Sequence, residues 1–322
     1  LLHSSNIPVR IIINKQNTLK ESEEMTLKHF INEVVQLLQE HLGEHYIVET
    51  ATTLKNNSVE LSGVQIRHEK DNIFPTIYLN DFYELYEKNS VTMEEIVDKV
   101  AEGFQESRKS IKKLAPLDST TFENCKDKIV YQLVSQKQNQ EMLENMPYIP
   151  FMDLAITFHV IVSMDPPSLH SIKITNELLE TWDITTQALF QIASENTPRL
   201  MPPRIVNIQD MLTENLALKA PESDLTNDEK TDMIVITNTL GVNGAAVILY
   251  PDMLASLAKE YDTDFYVIPS SIHEVILVSA EDDSMLAEYR LMVQDVNKRF
   301  VDPEEILSDQ VYYYEQKLQK MK

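Results

Sequence analysis

Hydroxyl, imidazole and carboxylate groups crowd into one short stretch of this chain, the turn Pro269-Ser-Ser-Ile-His-Glu274, which lies between the apolar runs Phe265–Ile268 and Val275–Val278. In an extended segment Ser271 and His273 fall on one side, and a serine hydroxyl beside an imidazole is the pairing that generates a nucleophile. With Ser270 as the second hydroxyl candidate and Glu274 or Asp153 as the acid, the cluster defines a hydrolase reading. The same residues have a structural reading. Ser271-Ile-His-Glu274 has capping-box spacing and predicts one helical turn joining two strands. No sequence neighbour supplies the third, orienting group or the oxyanion donors that a serine hydrolase needs.

A second candidate site lies on the segment Met152 to Val162. Its even positions, Met152, Leu154, Ile156, Phe158, Val160 and Val162, are all apolar, while Asp153, Thr157 and His159 fall on the other side. That alternation predicts a strand with one core face and one polar face. Asp153 and His159 are candidate ligand-binding residues on the polar face, and a solvated or helix-covered sheet face is the alternative. No metal site is expected: a zinc-binding HExxH pattern starting at His273 would need a histidine at position 277, which is Leu277. No cofactor is expected either. The chain has 5 glycines and no GxGxxG, P-loop or GxSxG pattern, and phosphate-cradling loops use glycine where backbone must approach ligand closely.

The elements that would position these residues are legible from periodicity. Leu27, Phe30, Ile31, Val34, Val35 and Leu38 follow helical spacing up to Gly43. Tyr46–Leu54, Val59–His68 and Ile73–Leu79 then read as an antiparallel meander, with the turn-prone Lys55-Asn-Asn-Ser58 between the first two. Asp81 with Glu84, and Thr92 with Glu95, have capping-box spacing and predict two helices. Further strands are expected at Lys128–Ser135 and Met152–Met164, and a hairpin at Met233–Asn238 and Ala245–Tyr250. Helices are expected over Asp252–Tyr261 and Ser284–Phe300, and Thr185 or Thr186 is expected to cap another. Tyr78 and Tyr131 read as strand tyrosines that pack while their hydroxyls stay wet.

This order predicts an α+β fold, with antiparallel or mixed sheets and helices packed mainly on one face, in two similar-sized lobes. The expected divisions are a disordered or non-native extension over 1–24 with translation from Met25, an N-terminal lobe over 25–115, a C-terminal lobe over 122–314 and a tail over 315–322. Arg108, Lys109, Lys112 and Lys113 form the one basic cluster, and they complement a helix C-terminus.

Charge narrows the partners. With 28 basic against 51 acidic residues the formal charge is −23, a field that repels phosphate backbones and anionic lipid heads. Neither nucleic acid nor a membrane is an expected partner. The single cysteine, Cys125, forbids an intrachain disulfide and suits a reducing, cytoplasmic setting.

Three segments, Ile73–Tyr83, Asn145–Leu154 and Phe265–Val275, resemble an uncharacterised domain-of-unknown-function family of gut Firmicutes. Residues 174–196 and 245–278 are similar to the uncharacterised YtpQ-type family. The resemblance implies a bacterial cytoplasmic setting and supplies no catalytic residues. The expected function is therefore a non-enzymatic protein that binds an unknown protein or small ligand on its sheet faces. The alternative is a hydrolase built on the turn 269–274.

Overall fold

The computed structural model describes residues 25–68, 76–111, 121–165, 168–208, 233–269 and 271–322. The expectations for 1–24 and for Ser270, Lys112 and Lys113 fall outside those residues. Among the described residues no helix is long and apolar enough to cross a membrane.

The chain opens with helix α1 (Leu27–Leu42), where Thr26 Oγ1 accepts from the His29 N–H at 3.4 Å and Phe30, Ile31, Val34 and Leu38 line the buried face. Gly43, at φ 82, ends it, a left-handed conformation that costs glycine little. Strands β1 (Tyr46–Leu54) and β2 (Glu60–His68) pair antiparallel along their whole length, and β3 (Thr76–Tyr78) adds to β2. A side chain at Gly63 would place its Cβ 2.0 Å from the Ile77 carbonyl oxygen, so glycine is what lets β3 approach. Helices α2 (Asn80–Glu87) and α3 (Met93–Ile111) follow.

The capping box at α3 forms as the spacing predicts, with Glu95 N–H on Thr92 Oγ1 at 3.2 Å and Thr92 N–H on Glu95 Oε2 at 2.8 Å. The one expected at Asp81 does not. Helix α2 begins two residues earlier, no side chain caps it, and Asn80 Oδ1 accepts instead from the Ser62 N–H at 2.9 Å. Phe30, Leu38, Ile66, Leu79, Ile96 and Phe104 join a core that draws only on this first part of the chain.

A second, larger core begins with helix α4 (Phe122–Cys125). Around it run β4 (Ile129–Ser135), α5 (Gln140–Glu144), β5 (Tyr148–Phe151), β6 (Leu154–Asp165) and β7 (Ser168–Lys173). The long β6 carries β4 along one edge, and β5 and β7 in succession along the other. Helix α6 (Asn176–Trp182) is capped by Thr175, and α7 (Thr186–Leu200) by Thr185, whose hydroxyl accepts from the Ala188 N–H at 3.2 Å.

The remaining elements are β8 (Pro203–Asn207), β9 (Met233–Asn238), α8 (Met253–Tyr261), β10 (Asp264–Ile268), β11 (Val275–Ala280), α9 (Leu286–Phe300), β12 (Tyr312–Glu315) and β13 (Lys320–Met321). Their strands form a six-stranded sheet in the order β13-β12-β10-β11-β9-β8. All strand pairs among the described residues are antiparallel, with helices segregated from them, and the fold is α+β.

The expected hairpin partner of β9 is a correction. Gly244–Leu249 is a 3-10 helix in which Ala245, Ala246, Val247 and Ile248 are all buried. An apolar run enclosed on every side carries no period, so it reads equally as strand or helix. Tyr131 is a second correction. It is fully buried between Phe190 and Tyr250, and its hydroxyl has no hydrogen-bond partner. Trp182 sits in this core with Phe122.

Candidate functional site

The polar turn between β10 and β11 is not helical. Ser271 Oγ accepts from the His273 backbone N–H at 3.0 Å, a turn contact two residues along in place of the capping box. The His273 ring points elsewhere. Its Nδ1 accepts from the Asn243 N–H at 3.1 Å, which leaves the proton on Nε2, 3.3 Å from Glu305 Oε1. Thr237 Oγ1 donates to the His273 carbonyl at 2.7 Å, and the Ile272 N–H donates to the Glu305 carbonyl at 2.8 Å.

Packing is tight where Gly244 meets this turn. A Cβ on Gly244 would lie 2.1 Å from Thr237 Oγ1 and 2.4 Å from the His273 oxygen. The structure thus brings Ser271 and His273 together by backbone, and both ring nitrogens face partners other than the serine hydroxyl. Glu274 is half-buried, and its carbonyl accepts from the Ser271 N–H at 3.4 Å. Between Ser271 and His273 the side-chain nucleophile–base contact that acyl transfer requires is not formed.

The polar face of β6 is built differently. Its even-numbered residues Leu154, Ile156, Phe158 and Val160 enter the large core, as the alternation predicts, whereas Met152, ahead of the strand, is exposed and Val162 is half-buried. Thr157 and His159 lie on the opposite face, where Gln132 of β4 stands beside Thr157 and Lys173 of β7 stands beside His159. These side chains line a cavity of about 300 Å³. Met142 of α5, Ser171, Asn243 and Ile272 contribute to its wall, and Lys55 and Asn56 reach it from the β1–β2 turn of the first lobe.

That turn is held in place by amides. Asn57, at φ 60, donates from Nδ2 to the Pro303 and Ile306 carbonyls at 2.8 and 2.6 Å, and its Oδ1 accepts from Asn139 Nδ2 at 2.9 Å. Asn56 Nδ2 donates to the Glu304 carbonyl at 2.7 Å, and Ser58 Oγ to the Gln138 carbonyl at 2.7 Å. Asparagine tolerates the left-handed conformation better than most residues, so one side chain both permits the turn and ties it to the second lobe.

The charged residues that line the cavity, Lys55 and Lys173, are both basic. Lys55 Nζ lies 4.5 Å over the Tyr78 ring, and Lys173 Nζ donates to Met142 Sδ at 3.2 Å. Neither amine meets a carboxylate among the described residues, and no acidic residue lines the cavity. Partial burial of its amine, then the charge of Lys55, lower the Lys173 pKa. His159 is deeply buried, its Nε2 is 3.2 Å from Thr157 Oγ1, and burial, reinforced by Lys173, lowers its pKa to about 3. It is therefore a neutral, hydrogen-bonding imidazole at physiological pH.

A larger hollow of about 410 Å³ lies between α1 and β1–β2. Its Lys28 and Glu60 carry opposite charges, so it has no comparable field. Among the described residues no group of three histidine, cysteine or acidic side chains is placed to hold a metal ion.

Comparison with protein families adds one finding, a match over residues 27–316. The chain belongs to DUF5688, a family of unknown function. No curated protein and no solved structure matches it.

In this DUF5688 member Asp153 does not share the cavity with His159. Met152 adopts φ 57 and β6 starts only at Leu154, so Asp153 turns away from the alternation. Its carboxylate accepts from Ser308 Oγ at 2.6 Å and Tyr312 Oη at 2.5 Å, which ties the start of β6 to the C-terminal segment. Cys125 is buried, and burial pushes its thiol up, away from the reactive thiolate. Arg108 donates to the Tyr46 hydroxyl at 3.1 Å, an anchor within the first lobe.

Of the residues that line the cavity, sequence reasoning reaches His159 and Thr157 and misses Lys55, Lys173 and Gln132. The one available signal is the polar turn Lys55-Asn-Asn-Ser58, whose paired asparagines mark a left-handed turn but not what the turn touches.

Proposed function

We propose that the protein is a non-enzymatic binding protein that takes a small anionic ligand in the cavity where the β1–β2 turn meets the polar face of β6. One observation carries the reading: in a chain of formal charge −23, two lysines that have no carboxylate partner among the described residues, Lys55 and Lys173, converge on a cavity with no acidic residue among its described lining. Unpaired ammonium groups at a partly desolvated wall favour a counter-ion. Gln132, Thr157, Ser171 and Asn243 offer hydrogen bonds for orientation, while Val134, Met142 and Ile272 supply apolar contact. A cavity of about 300 Å³ sits at the lower end of known ligand pockets, which points to a metabolite-sized molecule. A reducing, cytoplasmic compartment suits a chain whose one cysteine is buried.

The test is thermal-shift and calorimetric titration against small carboxylates and phosphate, with a sugar and a polyamine as neutral and cationic controls. Anions raise the melting temperature, and Lys55→Met with Lys173→Met abolishes the rise. A protein indifferent to every anion at millimolar concentration, or one stabilised equally by the polyamine, would overturn the proposal.

A further inference from the structure

Several features outside the cavity offer less. The exposed apolar side chains Leu291, Met292, Val296 and Phe300 of α9 form an uncovered face, but nothing on or near them defines an occupant. The Asp153, Ser308 and Tyr312 cluster satisfies its own hydrogen bonds. The lysine pair carries more.

We propose that the ligand is a 2-oxo acid held reversibly as an imine on Lys173, with Lys55 facing its carboxylate. This deepens the anion-binding reading and rests on it. Three arrangements support it. Lys173 is an exposed residue that lines the cavity, and its amine donates to Met142 Sδ, another lining residue, so a small molecule in the cavity can reach the nitrogen. A second cation, Lys55, enters from the other lobe, where it binds a carboxylate while Lys173 attacks the adjoining carbonyl. Among the described residues no carboxylate side chain lines the cavity to hold Lys173 as a permanently paired ammonium.

The groups that face Lys173 are Lys55, cationic, and His159, neutral because it is buried. Partial burial of the amine, then the charge of Lys55, favour the free amine over the ammonium, and a lysine beside another cation is an established route to an amine nucleophile. The step balances without a further reagent. The neutral amine attacks the carbonyl carbon and forms a C–N bond. One nitrogen proton passes to the former carbonyl oxygen, the resulting hydroxyl leaves with the second nitrogen proton as water, and a C=N bond remains. Gln132, Thr157 and Ser171 are within the same lining to hydrogen-bond the oxygen before it departs.

Pyruvate is the probe, added to the full chain with borohydride, followed by peptide mapping. Lactate, of matched charge and similar shape but without the carbonyl, reports anion binding alone. The expected result is a reduced adduct on Lys173 at about tenfold or more the level on any other lysine. Lys173→Arg, which keeps the charge, removes the adduct, and Lys55→Met lowers it about tenfold. Both substitutions lie at partly or largely exposed positions, and circular dichroism verifies folding. Binding of both lactate and pyruvate with no adduct on Lys173 overturns the imine and leaves the anion site standing. Binding of neither overturns both. Adducts spread evenly over surface lysines also overturn the imine.

Discussion

Asn57→Gly isolates the worth of the amide contacts that hold the first lobe's turn against the second. Glycine adopts the φ of 60 that Asn57 adopts, so the backbone is undisturbed and only the side chain is lost. Three hydrogen bonds go with it: Nδ2 to the Pro303 oxygen, Nδ2 to the Ile306 oxygen, and Oδ1 from Asn139 Nδ2. At about 1 kcal/mol net for each bond, the loss is about 3 kcal/mol. Asn57→Ala adds the cost of a left-handed alanine, about 1 kcal/mol, for a total near 4 kcal/mol. Urea unfolding followed by the fluorescence of Trp182, the one tryptophan of the chain, and by circular dichroism for both lobes reads this directly. With a slope of about 3 kcal/mol per molar, the glycine variant shifts the midpoint down by about 1 M. Unfolding curves for both variants within about 0.5 kcal/mol of the parent would refute the reasoning, because the turn would then be docked by something other than these amides.

Two further outcomes follow from buried groups. His159 has its pKa lowered from 6.5 to about 3 in the folded chain. The unfolded chain therefore takes up the proton first as pH falls, and stability declines from about pH 6.5 toward pH 3 by this group. His159→Gln flattens that decline in urea titrations across the range, and an unchanged slope would show that His159 titrates normally. Tyr131 buries a hydroxyl with no partner, and leaving such a group unsatisfied costs about 1–3 kcal/mol. Tyr131→Phe therefore raises the melting temperature, whereas a lower one would mean that the hydroxyl makes a contact that offsets its burial.

Local chemistry was legible where it was self-contained. Thr92 and Glu95 satisfy each other's backbone donors within one helical turn, so their spacing alone announces the start of α3. The alternation through β6 likewise separates Leu154, Ile156, Phe158 and Val160 from Thr157 and His159, because side chains on a strand alternate regardless of what covers it. Where both outcomes share a pattern, the pattern fails. Ser271-Ile-His-Glu274 fits a capping box, yet Ser271 bonds to the nearer His273 N–H, since the Glu305 and Asn243 contacts hold the turn in a non-helical shape. The apolar run Ala245–Ile248 is buried all round and so carried no period to read.

Composition and periodicity determined that this chain folds as α+β and that one face of β6 is polar. Only the tertiary structure decided what meets that face. Lys55 lies on the β1–β2 turn and Lys173 on β7, and the two line one cavity because Asn57 docks that turn against Asn139, Pro303 and Ile306. Hydrophobic periodicity records the environment of each element, whereas the convergence of two charges depends on how elements pack, and sequence spacing holds no trace of that distance.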